Sequence, residues 1–213
     1  MSINNPLKRS YGALPFKIPD NQLGFPLTTS TKKETIFRNY KIGKVLDQGD
    51  KGICVDMALT GLLNAEPISQ TPCQPLEIYN AARKLGKTPE NLEGCQLNHA
   101  VAYLIDKKII KKEYWTVKSE EVAMYLNTIS PIVMSIPWYE KMNTAEKDGR
   151  ITLGGNLIGY HAALAFRFDG LHNRIWLRNS WGSEWGLSGN CYIEIGNLEK
   201  LLNRGGIACA LVE

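Results

Sequence analysis

The chain is short of histidine, with His99, His161 and His172 as the whole complement in 213 residues, so any imidazole chemistry rests on one of three positions. Cysteine is sparse too. Cys54, Cys73, Cys95, Cys191 and Cys209 make an odd count with no Cys-x-x-Cys pair, which argues against a zinc framework and leaves at least one free thiol in a chain too large to depend on disulfides. No apolar run approaches the roughly 18 residues of a membrane helix, because Lys, Asp, Asn or Gly interrupts each one. No membrane partner is expected. Residues 1–17 carry neither the compact apolar stretch nor the small-residue cleavage site of a secretory leader, so the expected address is inside a cell, cytoplasmic or viral within a host. Charge of one sign is also scarce: 25 basic against 21 acidic residues leave +4. The basic cluster at Lys107, Lys108, Lys111 and Lys112 reads as a solvated helix end, and no nucleic-acid partner is indicated.

What is present is ordinary globular material, 44% hydrophobic and 22% charged. That composition excludes disorder, collagen and coiled coil. Residues 1–33 differ from the rest. Four prolines and the run Thr28-Thr29-Ser30-Thr31-Lys32-Lys33 give neither helical nor strand period, yet Tyr11, Leu14, Phe16, Ile18, Leu23 and Phe25 are residues that a free disordered tail avoids. An extended arm laid on the domain is expected, either a propeptide or a permanent strap, with the cleft of the remaining chain as its contact. From 34 to 213 the chain reads as one domain. Helices are predicted over 54–65, 76–85, 97–108 and 120–127; strands over 132–136, 161–168, 175–178 and 191–195. A helical half (about 48–128) followed by a sheet-rich half (about 129–213) is α+β architecture with a cleft between two subdomains.

His99 lies in a predicted helix and His172 in a predicted hairpin turn, where polar residues are expected. His161 instead opens an apolar strand. With the turn centred near residues 170–171, His161 falls opposite residues 179–181 of the returning strand, which brings Asn179 within reach of its ring. An amide oxygen on an imidazole N–H selects a tautomer and holds the ring, and Trp181 supplies an indole to exclude water from that bond. The group such an imidazole serves best is a thiol, which ionises with modest help. Cys54 stands in the first turn of a predicted helix, where unpaired N–H groups and the helix dipole favour negative charge. Six residues earlier, Gln48 carries an N–H₂ able to join the Cys54 N–H in binding an oxyanion.

These residues resemble the papain-like cysteine peptidases. The loop Gln48-Gly49-Asp50-Lys51-Gly52-Ile53-Cys54-Val55 is similar to that family's nucleophile loop, and Asn179-Ser180-Trp181-Gly182-Ser183-Glu184-Trp185-Gly186 matches its Asn-Ser-Trp-Gly-x-x-Trp-Gly motif in full. The resemblance, which runs from about residue 37 to the C-terminus, implies a papain-like fold: a helical left subdomain that opens with the nucleophile helix, and a β-barrel-like right subdomain. It implies Cys54 as nucleophile, His161 as acid and base, Asn179 as the residue orienting His161, and Gln48 as oxyanion donor. The reaction would be hydrolysis of a polypeptide through a thioester, with neither metal nor organic cofactor.

Gly94 and Cys95 take the place of the family's paired glycines on the cleft wall, where Cys95 is expected to add bulk. Ser135 and Tyr160 match positions of its main specificity pocket, and Trp181 completes the expected substrate-binding set. Lys51 replaces the cysteine of a neighbouring disulfide, which suits a reducing compartment. Asp56, close to Cys54, would oppose thiolate formation unless it points away. Because Ile53, Val55, Asp56 and Cys95 depart from the family pattern, two alternatives stay open: a papain-like scaffold without turnover, and an acyltransferase or deamidase using the same residues.

Overall fold

A computed structural model describes residues 9–25, 38–68 and 74–212. Cys73 and the parts of the expected arm at 1–8 and 26–33 lie outside the described residues. Three helices come first, α1 (Cys54–Leu63), α2 (Pro75–Leu85) and α3 (Leu97–Asp106). Proline at the first position of α2 suits a helix start, since its missing N–H has no partner to lose there. Strand β1 (Lys112–Thr116) and helix α4 (Ser119–Thr128) follow, then β2 (Ile132–Tyr139), β3 (Leu157–Asp169), β4 (Arg174–Arg178), β5 (Asn190–Glu194), helix α5 (Ile195–Asn203) and β6 (Ile207–Val212).

The six strands form one antiparallel sheet in the order β1-β6-β2-β3-β4-β5. It is an open sheet, with β1 and β5 at its edges, so the barrel-like right subdomain is not closed. A physical reason lies at the β1 edge: the arm covers it, with Leu23 bridged to Trp115 and the Gly24 N–H donating to the Trp115 carbonyl at 2.7 Å. Covering an edge in this way satisfies backbone groups that would otherwise template further pairing.

Alternation along the central strands explains the two cores. Ala162 and Leu164 of β3 face one core with Val133 and Cys209, under α1, α2 and α3. Ala163 and Ala165 face the other with Met134, Ile136 and Ala208, against α4 and α5. Successive side chains in a strand point to opposite faces, so burial on both faces makes β2 and the central run Ala162–Ala165 of β3 apolar nearly throughout. Among the described residues no helix is long and apolar enough to cross a membrane.

Candidate active site

The site sits where the two cores meet at the start of β3. Cys54 is the first residue of α1 and belongs to the core beneath the helices. The backbone N–H groups of Ala162, the residue after His161, and of Gly12 and Val55 favour its anion. His161 lies on the other face, its ring centroid 4.8 Å from those of both Trp138 and Trp181. Both residues have zero solvent exposure.

His161 Nε2–H donates to Asn179 Oδ1 at 2.7 Å, and the same oxygen accepts the Ser180 N–H at 2.7 Å. Asn179 Oδ1 can only accept, so the proton is on Nε2. Nδ1 is buried without a hydrogen-bond partner, an imidazole with one open basic site. The route to this geometry differs from the expected ladder. β3 and β4 pair only as far as Leu164 and Arg178, and a bulge between Ala165 and Arg167 shifts their register. His161 instead pairs with Ile136 of β2. Asn179 has already left β4, its N–H bonded to the Gly189 carbonyl at 2.9 Å, and reaches back to the imidazole from that turn.

Gln48 is buried, and the Ser180 hydroxyl donates to its Oε1. Its Nε2 donates to the carbonyls of Ser10 at 3.0 Å and Lys51 at 2.7 Å. Cys95 holds the arm by its backbone: its N–H donates to the Gly12 carbonyl and its carbonyl accepts the Leu14 N–H, both at 2.9 Å. The Cys95 side chain does not add bulk to the cleft. It is buried and turned inward onto the Asp56 carboxyl, with Sγ 3.6 and 3.7 Å from its oxygens. Asp56 thus faces Cys95 beneath the wall, and burial pushes its carboxyl up to about 8, so it is protonated at neutral pH.

Gly94 adopts φ +101, with the Gly12 carbonyl so close that a Cβ would lie 2.2 Å from its oxygen. Tyr160 accepts the Ala13 N–H on its carbonyl, and its hydroxyl donates to the Arg204 carbonyl at 3.2 Å. Ser135 is buried within the sheet, paired with Ala162 and Ile207. Trp181 packs against His161, Trp138, Trp185 and Tyr11. His172, by contrast, is a turn residue on the Asp169 carboxylate, and His99 lies in α3.

Two contributors had no motif to announce them. Arg83 of α2 donates to the carbonyls of Pro89, Leu92 and Gly94, which shapes the loop carrying the wall. Asn143 Oδ1 accepts from Trp138 Nε1 and from the Tyr11 hydroxyl. Their roles depend on where loops travel, and neither has a sequence signal.

The electrostatics differ from a reactive ion pair. Burial raises the Cys54 thiol to about 11 against the opposing pull of its N–H bonds, and the Asp56 charge adds to the rise. Burial also lowers His161 to about 4, with the Asn179 bond resisting. With the arm in place, desolvation penalises both charges and favours the neutral thiol and the neutral imidazole. Among the described residues, no group of three or more His, Cys, Asp or Glu side chains is arranged to hold a metal ion.

No protein-family model and no curated protein sequence matches the chain. Solved structures do. Xylellain, a cysteine protease from Xylella fastidiosa, aligns at TM-score 0.76 and 18% identity over 100% of this chain and 99% of its own. Digestive procathepsin L 3 of Tenebrio molitor larval midgut aligns at TM-score 0.69 and 16% identity, over 97% and 77%. Bromelain from Ananas comosus, in complex with the E64 inhibitor, aligns at 0.63 and 13%, over 80% and 94%. At such identities the likeness is one of architecture, and the chain has the fold of the papain-like cysteine proteases.

Proposed function

We propose that this protein is a cysteine peptidase that cleaves polypeptides with Cys54, His161, Asn179 and Gln48. The observation that supports the reading is the 2.7 Å bond from His161 Nε2–H to Asn179 Oδ1, which leaves Nδ1 as an open base, while the N–H of the next residue, Ala162, favours the Cys54 anion. In this reading Cys54 Sγ bonds to the substrate carbonyl carbon as its proton passes to His161 Nδ1. The oxyanion is held by Gln48 Nε2–H and the Cys54 N–H at the start of α1. Collapse expels the amine, which takes the proton from His161, and leaves a thioester. Water then attacks the thioester carbonyl, its proton moves to His161 and on to the departing sulfur, and the acid is released.

The Gly94–Cys95 backbone and Tyr160 carbonyl would hold the substrate chain, with Trp181 shielding the imidazole. Cys54, Cys95, Cys191 and Cys209 are free thiols, and the reading places the enzyme in a reducing compartment. A peptide-library cleavage assay tests it. Turnover by the wild-type chain that is abolished in both Cys54→Ala and His161→Ala, together with one E64 adduct on Cys54 by intact mass, is expected. Cleavage that survives Cys54→Ala overturns the assignment, and a chain that takes no adduct and cleaves nothing in any form is a scaffold.

A further inference from the structure

We propose that a small cavity behind Asn179 binds a chloride-sized anion, which holds one end of the Asn179 amide and thereby keeps the other end on His161. The cavity measures about 20 Å³ and lies between α1 and the sheet, with Ala58 and Leu164 among its apolar walls and Lys44, Arg178 and Asn179 as its donors. Binding of the anion stands on this geometry alone. Its effect on turnover rests on the peptidase reading.

The two ends of the buried Asn179 amide are treated differently. Oδ1 accepts the His161 Nε2–H and the Ser180 N–H. Nδ2 is buried with no partner among the described residues, and a buried donor is costly until something accepts from it. Its chain neighbour Arg178 is half-buried. The Arg178 Nε donates to Asn190 Oδ1 at 2.7 Å and one Nη to the Gly43 carbonyl at 3.0 Å, both uncharged oxygens. Among the described residues no carboxylate pairs with Arg178 or with the exposed Lys44, and none lines the cavity. Burial lowers Arg178 from its ordinary value with no negative charge to resist it.

Two cations without a counter-charge and one unpaired amide N–H₂ around a common space call for an acceptor that carries negative charge. Apolar walls strengthen that attraction, because they lower the local dielectric. Size narrows the ligand further. A volume of this order holds one water-sized particle, so a monatomic anion fits, whereas sulfate, phosphate or the carboxylate of a metabolite does not. The link to the site follows from the amide itself. Half a turn about its last bond would set Nδ2 against His161 Nε2–H, donor against donor, and an anion bound to Nδ2 opposes that turn.

The test compares the full chain in sodium chloride and in sodium gluconate, whose anion is too large for the cavity, at equal ionic strength and pH. The readouts are the melting midpoint and the kinetics of peptide cleavage. Chloride at about tenfold above half-saturation should raise the midpoint by about 3–6 °C, and the rise should saturate. Turnover, read as kcat, should increase about tenfold with KM little changed, the gain expected when one buried donor finds its acceptor. Arg178→Gln removes a cation, and Lys44→Glu brings a carboxylate as a rival to chloride; each should abolish both responses. Should Arg178→Gln fail to fold, Lys44→Glu decides alone. Equal midpoints in the two salts, or a chloride response that survives in every folded variant, overturns the site. A midpoint that responds while kcat does not upholds the site and overturns its hold on Asn179. A midpoint that responds in a chain that cleaves nothing in either salt upholds the site and overturns the peptidase reading, which separates the two failures.

Discussion

The Ser180 hydroxyl donates to Gln48 Oε1 at 2.6 Å, and the Gln48 N–H donates to the Ser180 carbonyl at 2.9 Å, so the loop before the nucleophile is fastened to the Asn-Ser-Trp turn from the opposite half of the chain. A hydroxyl that donates to Oε1 leaves Nε2 as the outward face of the amide. That orients the amide proposed above as the oxyanion donor without touching substrate.

From this relationship, Ser180→Ala should free the Gln48 amide to rotate. Loss of one buried hydrogen bond is worth about 1–3 kcal/mol, and its consequence at the site is a fall of about tenfold in kcat with KM little changed. Ser180→Thr, which keeps the hydroxyl, should recover most of it. A variant that loses KM and kcat in equal measure would show Ser180 to act on substrate binding instead.

Protonation of His161 opposes the closed structure. The groups facing it are the rings of Tyr11, Trp138 and Trp181 and the Asn179 amide, and none supplies a negative charge at neutral pH. The folded value of about 4 lies below the unfolded 6.5, so between these values the unfolded chain binds a proton that the folded one does not. Stability is complete above about pH 6.5 and falls toward pH 4, by about 3 kcal/mol at about 1.4 kcal/mol per unit. Thermal unfolding from pH 7 to 4 should show this fall, and His161→Gln should flatten the part that other carboxyl groups do not explain. Parallel curves for the two proteins would refute it.

Asp56 has the reverse sign. Its carboxyl titrates near 8 when folded and near 3.8 when unfolded, so its contribution is fully present below about pH 4 and is lost as pH rises to about 8. Asp56→Asn keeps the shape and a polar partner for Cys95 while removing the titration. Its melting temperature should exceed that of wild type by a margin that widens between pH 4 and 8, reaching a few kcal/mol in stability. A margin independent of pH would mean that Asp56 keeps an ordinary carboxylate value.

Much of this was legible in residue order. The stripe Val55, Ala58, Leu59, Leu62 and Leu63 defines α1 and puts Cys54 at its start, and all five are buried as the period requires. The nearness of His161 and Asn179 was legible as well, although the bulge and the turn at Gly189, which bring it about, were not: a register shift leaves no mark in a hairpin count. Three elements, β1, α5 and β6, fall outside the sequence expectations. β1 is a five-residue edge strand whose identity comes from pairing with β6, a partner nearly a hundred positions away. In α5 the spacing of Leu198, Leu201 and Leu202 is helical but short, with the core shared with α4 deciding the matter. The inward turn of Cys95 was hidden because its exposure depends on Asp56, a contact between the first turn of α1 and a residue that precedes α3.

The tryptophan-glycine motif gives a prediction in which two glycine substitutions take opposite signs. Gly186 adopts φ +58, and a Cβ there would stand 2.5 Å from the Asn190 carbonyl oxygen, a backbone atom held by its own bonds to Leu187. Beside it the Trp185 indole donates to the Asn143 carbonyl at 2.7 Å, so any shift of this turn disturbs the residue that also receives Tyr11 and Trp138. Gly186→Ala therefore combines left-handed strain with a clash and should cost about 1–3 kcal/mol. Gly186→Asn tolerates the dihedral better but keeps the clash, and should be little improved. Gly196 lies in the first turn of α5 with nothing within 4 Å of the place its Cβ would take, so Gly196→Ala should stabilise by about 0.5–1 kcal/mol through lower unfolded-state entropy and better helix propensity. Urea unfolding of the four proteins measures all of this. If Gly186→Ala and Gly196→Ala moved the midpoint in the same direction, the steric reading of the motif would fail.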